Sequence, residues 1–293
     1  MVNVVSTAFE IALPALVAAL YWRRCQTLTP SGRAPSTARQ LSFAAGIAVW
    51  VFSTLTPLAK LAEELVTAHM VQHLLLTDLA AVLIVIGVNG AVLAPVLRVL
   101  HPVRWLLAPL AVVVLWIFGF YVWHLPALYE GALESPPLHG AEHGTFLVTG
   151  IGKWLLLLGP AAVAAVGIAA RIGLAVVSHL SVAGLGNIFM WAGTPFYPAY
   201  EATAIERGIS PVTDQSIAGA IMTVEGMFLT IGLGAWLLLR WAREDTARQD
   251  LLDYAEQRGV PLSEERARRA AAAGEIDRLR ARIEREAGHA AAR

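Results

Sequence analysis

Residues 65–88 read LVTAHMVQHLLLTDLAAVLIVIGV, and Asp78 is the one Asp, Glu, Lys or Arg among them. A helix needs roughly 20 mainly apolar residues to cross the hydrocarbon core of a bilayer. This stretch therefore predicts a membrane-spanning helix, with His69 and His73 in its first two turns. A polar side chain near hydrocarbon is costly unless it is paired, hydrated or bound to a ligand, so the two histidines need an explanation.

The composition of the whole chain agrees with a membrane protein. Hydrophobic residues make up 57% of the 293 residues and charged residues 15%, and the mean hydropathy is +0.60. An ordinary soluble domain is less apolar. Charge is concentrated after Arg240, in a stretch dense in Arg and Glu. We predict an all-α fold, with a polytopic bundle of seven transmembrane helices over residues 1–241 and a charged, helical cytoplasmic tail over residues 242–293.

Seven segments are long and apolar enough for such a bundle. They lie near Val4 to Trp22, Leu41 to Leu58, Leu65 to Val88, Trp105 to Trp123, Gly144 to Val166, Ile172 to Trp191 and Gln215 to Trp241. The first segment has no Lys or Arg before Glu10. We therefore interpret it as a retained helix and not as a cleaved signal.

The loops between these segments differ in charge, and this predicts the orientation of the bundle. Basic residues are kept on the cytoplasmic side of membrane proteins. One side carries Arg23, Arg24, Arg33, Arg39, Arg98, Arg104, Arg171 and the arginines of the tail, whereas the other side shows Lys60 and Arg207. We expect an amino terminus outside the membrane and a carboxyl terminus in the cytoplasm.

This topology places five of the eight histidines on the outer side: His69, His73, His124, His139 and His143. His69 and His73 are four residues apart, as are His139 and His143, and residues at that spacing share one face of a helix. Two such pairs facing each other would form a four-imidazole metal site. His124, at the end of the fourth segment, is an optional fifth ligand.

The residue types suggest a metal without deciding which one. Imidazole suits copper and zinc, whereas a thioether, from Met70, Met190, Met222 or Met227, would favour reduced copper. Asp78 and Glu142 are candidates for carboxylates that orient a ligating imidazole by a hydrogen bond. Residues 139–143 also match the zinc-peptidase pattern H-x-x-E-H, a short pattern that recurs by chance.

Two further charges lie within the predicted membrane segments. Lys153 in the fifth segment and Glu225 in the seventh lie at similar depth, so they either pair or line an ion path. Asp78 is an alternative partner for Lys153. An unpaired Lys at the centre of a bilayer costs about 2.5 to 3.5 kcal/mol on insertion scales, so a partner is expected.

Several motifs together resemble the bacterial CtaG family of seven-helix membrane proteins. They are HMVQHLLL at 69–76, WHLPALY at 123–129, HGAEH at 139–143, and Asp214 and Gln215 with Gly219 and Met222. The likeness covers about residues 40–240, and it departs from the family's pattern at Glu225. The resemblance implies an assembly factor for caa-type cytochrome c oxidase in the bacterial plasma membrane. It also implies an oxidase subunit as partner and a role in handling copper.

Other functional classes stay open at this point. A zinc-dependent integral-membrane hydrolase would use Glu142 or Asp78 as the base for a metal-bound water. A metal ion transporter would use Lys153, Glu225 and Asp78 as its path, and haem ligation by paired histidines is a further alternative. The sole cysteine, Cys25, excludes an internal disulfide and a cysteine-based copper relay. Nothing in the chain indicates nucleic-acid binding.

The tail predicts two helical stretches, at about Glu244 to Arg258 and Ser263 to Glu286. Residues 259–261, Gly-Val-Pro, should separate them, because glycine and proline interrupt helices. Ser263 is the expected N-cap of the second stretch.

Overall fold

The computed structural model describes residues 4–159, 166–273 and 275–291. Every regular element in these ranges is helical, which confirms the all-α fold. The α-helices are α1 (Val4–Leu28), α2 (Thr37–Leu55), α3 (Pro57–Ala62), α4 (Val66–Leu74), α5 (Ala81–Gly87), α6 (Gly90–Val99), α7 (Pro109–Trp123), α8 (Pro126–Glu134), α9 (Pro136–Leu158), α10 (Ile168–Trp191), α11 (Glu201–Glu206), α12 (Pro211–Glu256), α13 (Glu264–Ala273) and α14 (Ile276–Ala291). A π-helical segment, Leu75–Ala80, joins α4 to α5, and 3-10 turns lie at Thr29–Ser31, His101–Leu107 and Pro198–Tyr200.

Four helical stretches are long and apolar enough to cross a membrane: Thr37–Leu55, Val66–Gly87, Ile168–Trp191 and Pro211–Glu256. Two bent pairs raise the number to six if each pair is a single span. They are Gly90–Val99 with His101–Leu107, bent by 111°, and Pro109–Trp123 with Pro126–Glu134, bent by 73°. The described residues thus carry four to six candidate spans, and membrane spans at α1 and α9 stay predictions.

Prolines set helix starts that the hydrophobic pattern did not predict. α9 begins at Pro136 and not at Gly144, so it contains both His139 and His143. Proline suits the first position of a helix because a backbone N–H at that position would have no acceptor within the helix. α9 ends at Leu158 and not at Val166, while residues 160–165 lie outside the described residues.

The fourth predicted segment also starts at a proline. α7 begins at Pro109 and not at Trp105, because His101–Leu107 forms a separate 3-10 turn. Beyond Trp123 the chain bends and continues as α8, a helix that the sequence did not predict.

The stretch formed by α4, the π-helical segment and α5 packs closely against α9. The Thr77 hydroxyl donates a hydrogen bond of 2.9 Å to the Phe146 carbonyl. A Cβ at Gly150 would clash with the Thr77 carbonyl, and small residues permit such close helix contacts in membrane proteins. The two helices that carry the paired histidines are therefore held face to face.

An aromatic cluster is packed around the paired histidines. Its buried members include Met70, Trp116, Phe120, Tyr129, Phe146, Phe189, Tyr197, Tyr200 and Met222. The rings of Tyr129 and Tyr197 are stacked with their centroids 3.8 Å apart. This cluster contacts the histidines with mainly apolar surface, which raises the cost of any polar group there that lacks a partner.

The chain divides into two compact units, Met1–Thr230 and Ile231–Arg293. The predicted domain boundary between residues 241 and 242 stays a prediction.

Within the second unit, the predicted break between two tail helices is confirmed. α12 ends at Glu256, and Gly259 adopts a positive φ of 65°. The Arg266 N–H donates to the Ser263 hydroxyl at 3.4 Å, as expected for an N-cap. The second predicted stretch is split into α13 and α14, and Leu251, Ala255, Ala267 and Ile283 form part of a small core.

Candidate metal site

Two helices place four imidazoles beside one another. On α4, the ring centroids of His69 and His73 are 4.2 Å apart. On α9, those of His139 and His143 are 4.3 Å apart. Between the helices, the ring centroids of His69 and His139 are 5.7 Å apart, and those of His73 and His143 are 5.4 Å apart. Each pair shares one helix face, as the four-residue spacing predicted, and the packing of the two helices brings the pairs face to face.

Glu142 lies between the imidazoles of α4. Its Oε1 atom is 3.8 Å from Nε2 of His69 and 3.8 Å from Nε2 of His73. One ligand atom from each of His69, His73, His139 and Glu142 lies within 4.8 Å of the others. Ligands about 2.0–2.1 Å from a tetrahedral ion are about 3.4 Å apart. A modest contraction would therefore bring all four atoms to bonding distance of one ion.

Several polar atoms of this group are buried and lack hydrogen-bond partners. Glu142 exposes 1% of its surface and His69 also 1%. Among the described residues, no partner is found for Oε2 of Glu142, for Nε2 of His69 and His139, or for either ring nitrogen of His73. Native proteins rarely leave buried polar atoms unpaired, because desolvation without a hydrogen bond is costly. A bound cation would satisfy these atoms together.

Tyr200 fixes the orientation of His69. The Tyr200 hydroxyl donates to the Ala62 carbonyl at 3.0 Å and lies 2.9 Å from Nδ1 of His69. Since the single hydroxyl proton is used on Ala62, Nδ1 of His69 carries the proton and donates to the hydroxyl oxygen. Nε2 of His69 then keeps its lone pair and points toward Glu142. Such hydrogen bonds commonly orient metal-ligating histidines.

Two predicted ligands lie outside the group of four. His143 is buried beside His139 and His73, and its Nε2 atom has no hydrogen-bond partner among the described residues. The ring nitrogens of His124 contact other groups: Nδ1 lies 2.6 Å from the Phe120 carbonyl and Nε2 lies 3.4 Å from Sδ of Met70. Glu142, predicted as an orienting carboxylate, belongs to the group of four whose ligand atoms could hold a metal ion.

Asp78 is paired with Lys153. Its Oδ1 accepts hydrogen bonds from Nζ of Lys153 at 2.6 Å and from Nε1 of Trp154 at 3.0 Å. These contacts favour the alternative in which Asp78 is the partner of Lys153 over its prediction as an orienting carboxylate. The Lys153 ammonium also lies 4.5 Å from the centre of the Trp116 ring, a favourable cation–π contact.

Of the two partners that the sequence left open for Lys153, the structure pairs it with Asp78. The close packing of α9 on the π-helical segment brings these two side chains together. Glu225 is close enough to interact electrostatically with both charges.

Asp214 of α12 caps the helix that carries His69 and His73. Its two carboxylate oxygens accept hydrogen bonds from the backbone N–H groups of Val66 at 2.7 Å and Thr67 at 3.1 Å. The first N–H groups of a helix have no partner within the helix, so an acceptor there fixes the helix start. The next residue, Gln215, accepts from the Phe196 N–H at 2.7 Å.

The sequence did not predict the roles of Asp214 or Tyr200 at this end of the bundle, and it did not predict that Met70 contacts His124. Asp214 and Met70 lie within the motifs that carry the family resemblance, but a motif does not show which helix its side chains reach. Glu142 had a usable signal. It lies three residues after His139 and so shares that histidine's helix face.

Comparison with known families agrees with the resemblance seen in the sequence. The family model of the cytochrome c oxidase caa3 assembly factor (Caa3_CtaG) matches residues 19–244. That range includes all the residues of the candidate metal site. No curated protein and no solved structure matches the chain.

Proposed function

Because the chain belongs to the family of cytochrome c oxidase caa3 assembly factors, we propose that it binds copper at His69, His73, His139 and Glu142 while the oxidase is assembled. The main support is the convergence on one point of four side chains, three buried and His139 half-buried, each with an unpaired ligand atom. Imidazole nitrogens are common copper ligands. The oxidase of this family contains copper, which favours copper over zinc.

We place this site on the outer side of a seven-helix bundle in the bacterial plasma membrane, with the amino terminus outside. The positions of Lys and Arg in the sequence support this orientation. Contacts of Asp214 with Val66 and of Tyr200 with His69 bring the starts of α4 and α12 to the same end as the site. The partner would be an immature oxidase subunit. The protein would either pass copper to this subunit or stabilise it.

The same geometry favours a holding site over a hydrolytic one. Catalytic zinc sites have three protein ligands and leave a fourth position for water. Here Glu142 lies 3.8 Å from two imidazoles, so it would fill the fourth position and could not act as a base on a bound water. A zinc hydrolase is therefore the less supported alternative.

The first test is metal analysis of the purified protein in detergent. The wild type should hold one copper ion at this site, and the double variant His69→Ala, His73→Ala should lose it. His101→Ala is the matched control because His101 is exposed and belongs to a different turn. Equal copper content in the wild type and the double variant would contradict the proposed site.

A second measurement addresses assembly itself. In cells that depend on this protein for oxidase maturation, the double variant should lower the copper content of the isolated oxidase, and His101→Ala should not. Oxidase with full copper content from the double variant would rule out copper handling at these histidines. Zinc in the purified wild type together with hydrolase activity would instead favour the enzyme.

A further inference from the structure

We propose a second, separate metal position, for Cu(I), formed by Sδ of Met70 and Nε2 of His124. The two atoms lie 3.4 Å apart, and both side chains are buried in the aromatic cluster, with exposed fractions of 1% and 7%. A thioether and an imidazole are a donor pair that suits reduced copper. This proposal does not depend on copper binding at His69, His73, His139 and Glu142.

The hydrogen bond of His124 with Phe120 fixes the position of the imidazole proton. Nδ1 lies 2.6 Å from the Phe120 carbonyl oxygen, and a carbonyl oxygen only accepts hydrogen bonds. Nδ1 therefore carries a proton. If Nε2 carried one as well, the ring would be a cation in contact with Phe120, Phe146 and Phe189, and burial of a charge without an anionic partner is costly.

A neutral His124 therefore has its lone pair on Nε2, directed at the sulfur of Met70. The thioether also offers only lone pairs, because it has no proton. Two acceptors facing each other at 3.4 Å do not form a hydrogen bond. A soft cation between them would convert this unfavourable contact into two bonds.

The separation of the two atoms fits such an ion. First-row metal bonds of about 2.0 Å to imidazole nitrogen and about 2.3 Å to sulfur place these donors about 3.4 Å apart when the angle between the bonds is about 105°. A linear arrangement would need about 4.3 Å. The bent geometry leaves a coordination position of the ion open for a third ligand.

The two metal positions are close in space but different in chemistry. Met70 follows His69 on α4, and the Tyr129 ring lies 4.8 Å from the His69 ring and 6.3 Å from the His124 ring. The first position offers nitrogen and oxygen, and the second offers nitrogen and sulfur. The protein would thus present one environment for Cu(II) or Zn(II) and a neighbouring one for Cu(I).

The test is X-ray absorption at the copper edge on full-length protein loaded with Cu(I) under reducing conditions. To remove the first position, the background is the double variant His139→Ala, Glu142→Gln. In that background we expect one Cu(I) per chain with a sulfur neighbour at about 2.3 Å. Adding Met70→Leu should remove the sulfur signal and lower Cu(I) affinity at least 10-fold. Adding Met222→Leu, which changes a buried Met of the same cluster, should leave both unchanged.

Cu(I) with only nitrogen or oxygen neighbours in the background variant would overturn the proposal, as would a sulfur signal that survives Met70→Leu. Neither result bears on the proposed copper site at His69, His73, His139 and Glu142. That site is tested separately, by the copper content of the variant in which His69 and His73 are replaced and Met70 is kept. Circular dichroism and the elution volume in detergent should show that Met70→Leu folds like Met222→Leu.

Discussion

Two polar groups lie on the same pair of helices, and they differ in where their partners come from. Near the starts of α4 and α9, His69, His73 and Glu142 are buried with ligand atoms that no described residue satisfies. Further along, Asp78 and Lys153 are also buried but form an ion pair of 2.6 Å, with Trp154 as a second donor. Buried polarity alone therefore does not indicate a ligand site. The distinguishing feature is whether the chain itself supplies the partner.

The two polar groups should have opposite effects on the stability of the metal-free protein. A satisfied pair contributes to stability in the protein alone, and its removal should affect folding. A group without a partner destabilises the metal-free protein. Its removal should weaken ligand binding, and the stability of the metal-free protein should stay the same or increase. Substitutions in the two groups test this difference.

Lys153→Met should lower the free energy of unfolding in detergent by about 3–5 kcal/mol, because it leaves the Asp78 carboxylate buried without its cation. Unfolding monitored by circular dichroism measures this. Combining Lys153→Met with Asp78→Leu should restore most of the lost stability, since neither charge then remains. If the free energy of unfolding of Lys153→Met were within about 1 kcal/mol of the wild-type value, the ion pair would not be important for stability.

Glu142→Gln should lower copper affinity by about 100-fold, since the loss of a ligand should cost at least as much as the loss of a supporting partner. Without metal, the variant should be as stable as the wild type or more so, because it replaces a buried unpaired carboxylate by a neutral amide. Competition with a copper chelator gives the affinity. Glu134→Gln, at an exposed position near the same end, is the control, and equal losses in both variants would contradict the role of Glu142.

Tyr200→Phe should lower copper affinity by about 10-fold or somewhat more, because His69 would no longer be held in the tautomer with a lone pair on Nε2. Tyr197→Phe removes another buried hydroxyl, one that donates to the His124 carbonyl at 2.8 Å, and it should leave this affinity unchanged. The same chelator competition applies. If the two variants behaved alike, the effect would be one of packing.

Asp214→Ala should cost about 1–2 kcal/mol of stability, because two N–H groups at the start of α4 lose their acceptor. Asp214→Asn keeps one acceptor oxygen and should cost less. Copper affinity should fall only a few-fold in both, through less precise placement of His69. Stability equal to the wild type in Asp214→Ala would show that the cap is replaced by other groups.

The sequence predicted the part of this arrangement that depends on local periodicity. The four-residue spacings of His69 and His73 and of His139 and His143 give helix faces directly, and the apolar stretch at 65–88 corresponds to the candidate span Val66–Gly87. The long-range contacts could not be predicted in this way. Asp214 is 148 positions from Val66, and Tyr200 is 131 positions from His69, so only the packing of the helices shows these pairs.

The other differences between the sequence predictions and the structure have local physical causes. The start of α9 at Pro136 follows from proline at the first helical position, a signal that counts of hydrophobic residues overlook. The direction of the His124 ring depends on rotation about its side chain at the end of α7, and no spacing rule fixes that. The choice of Asp78 over Glu225 as partner of Lys153 depends on how closely two helices approach, which the small residue Gly150 permits.

The π-helical segment Leu75–Ala80 begins two residues after His73 and contains Asp78. It changes the direction in which the side chains of one candidate span point. A π-helical turn accommodates an additional residue relative to an α-helix, so it sets the angle between the two halves of the span. Deletion of Leu75 would restore the regular helix, turn the following residues by about 100° and shift them by about 1.5 Å. His69 and His73 would still face α9, whereas Asp78 would turn away from Lys153. The π-helical turn thus lets one candidate span direct both its proposed metal ligands and Asp78 toward α9.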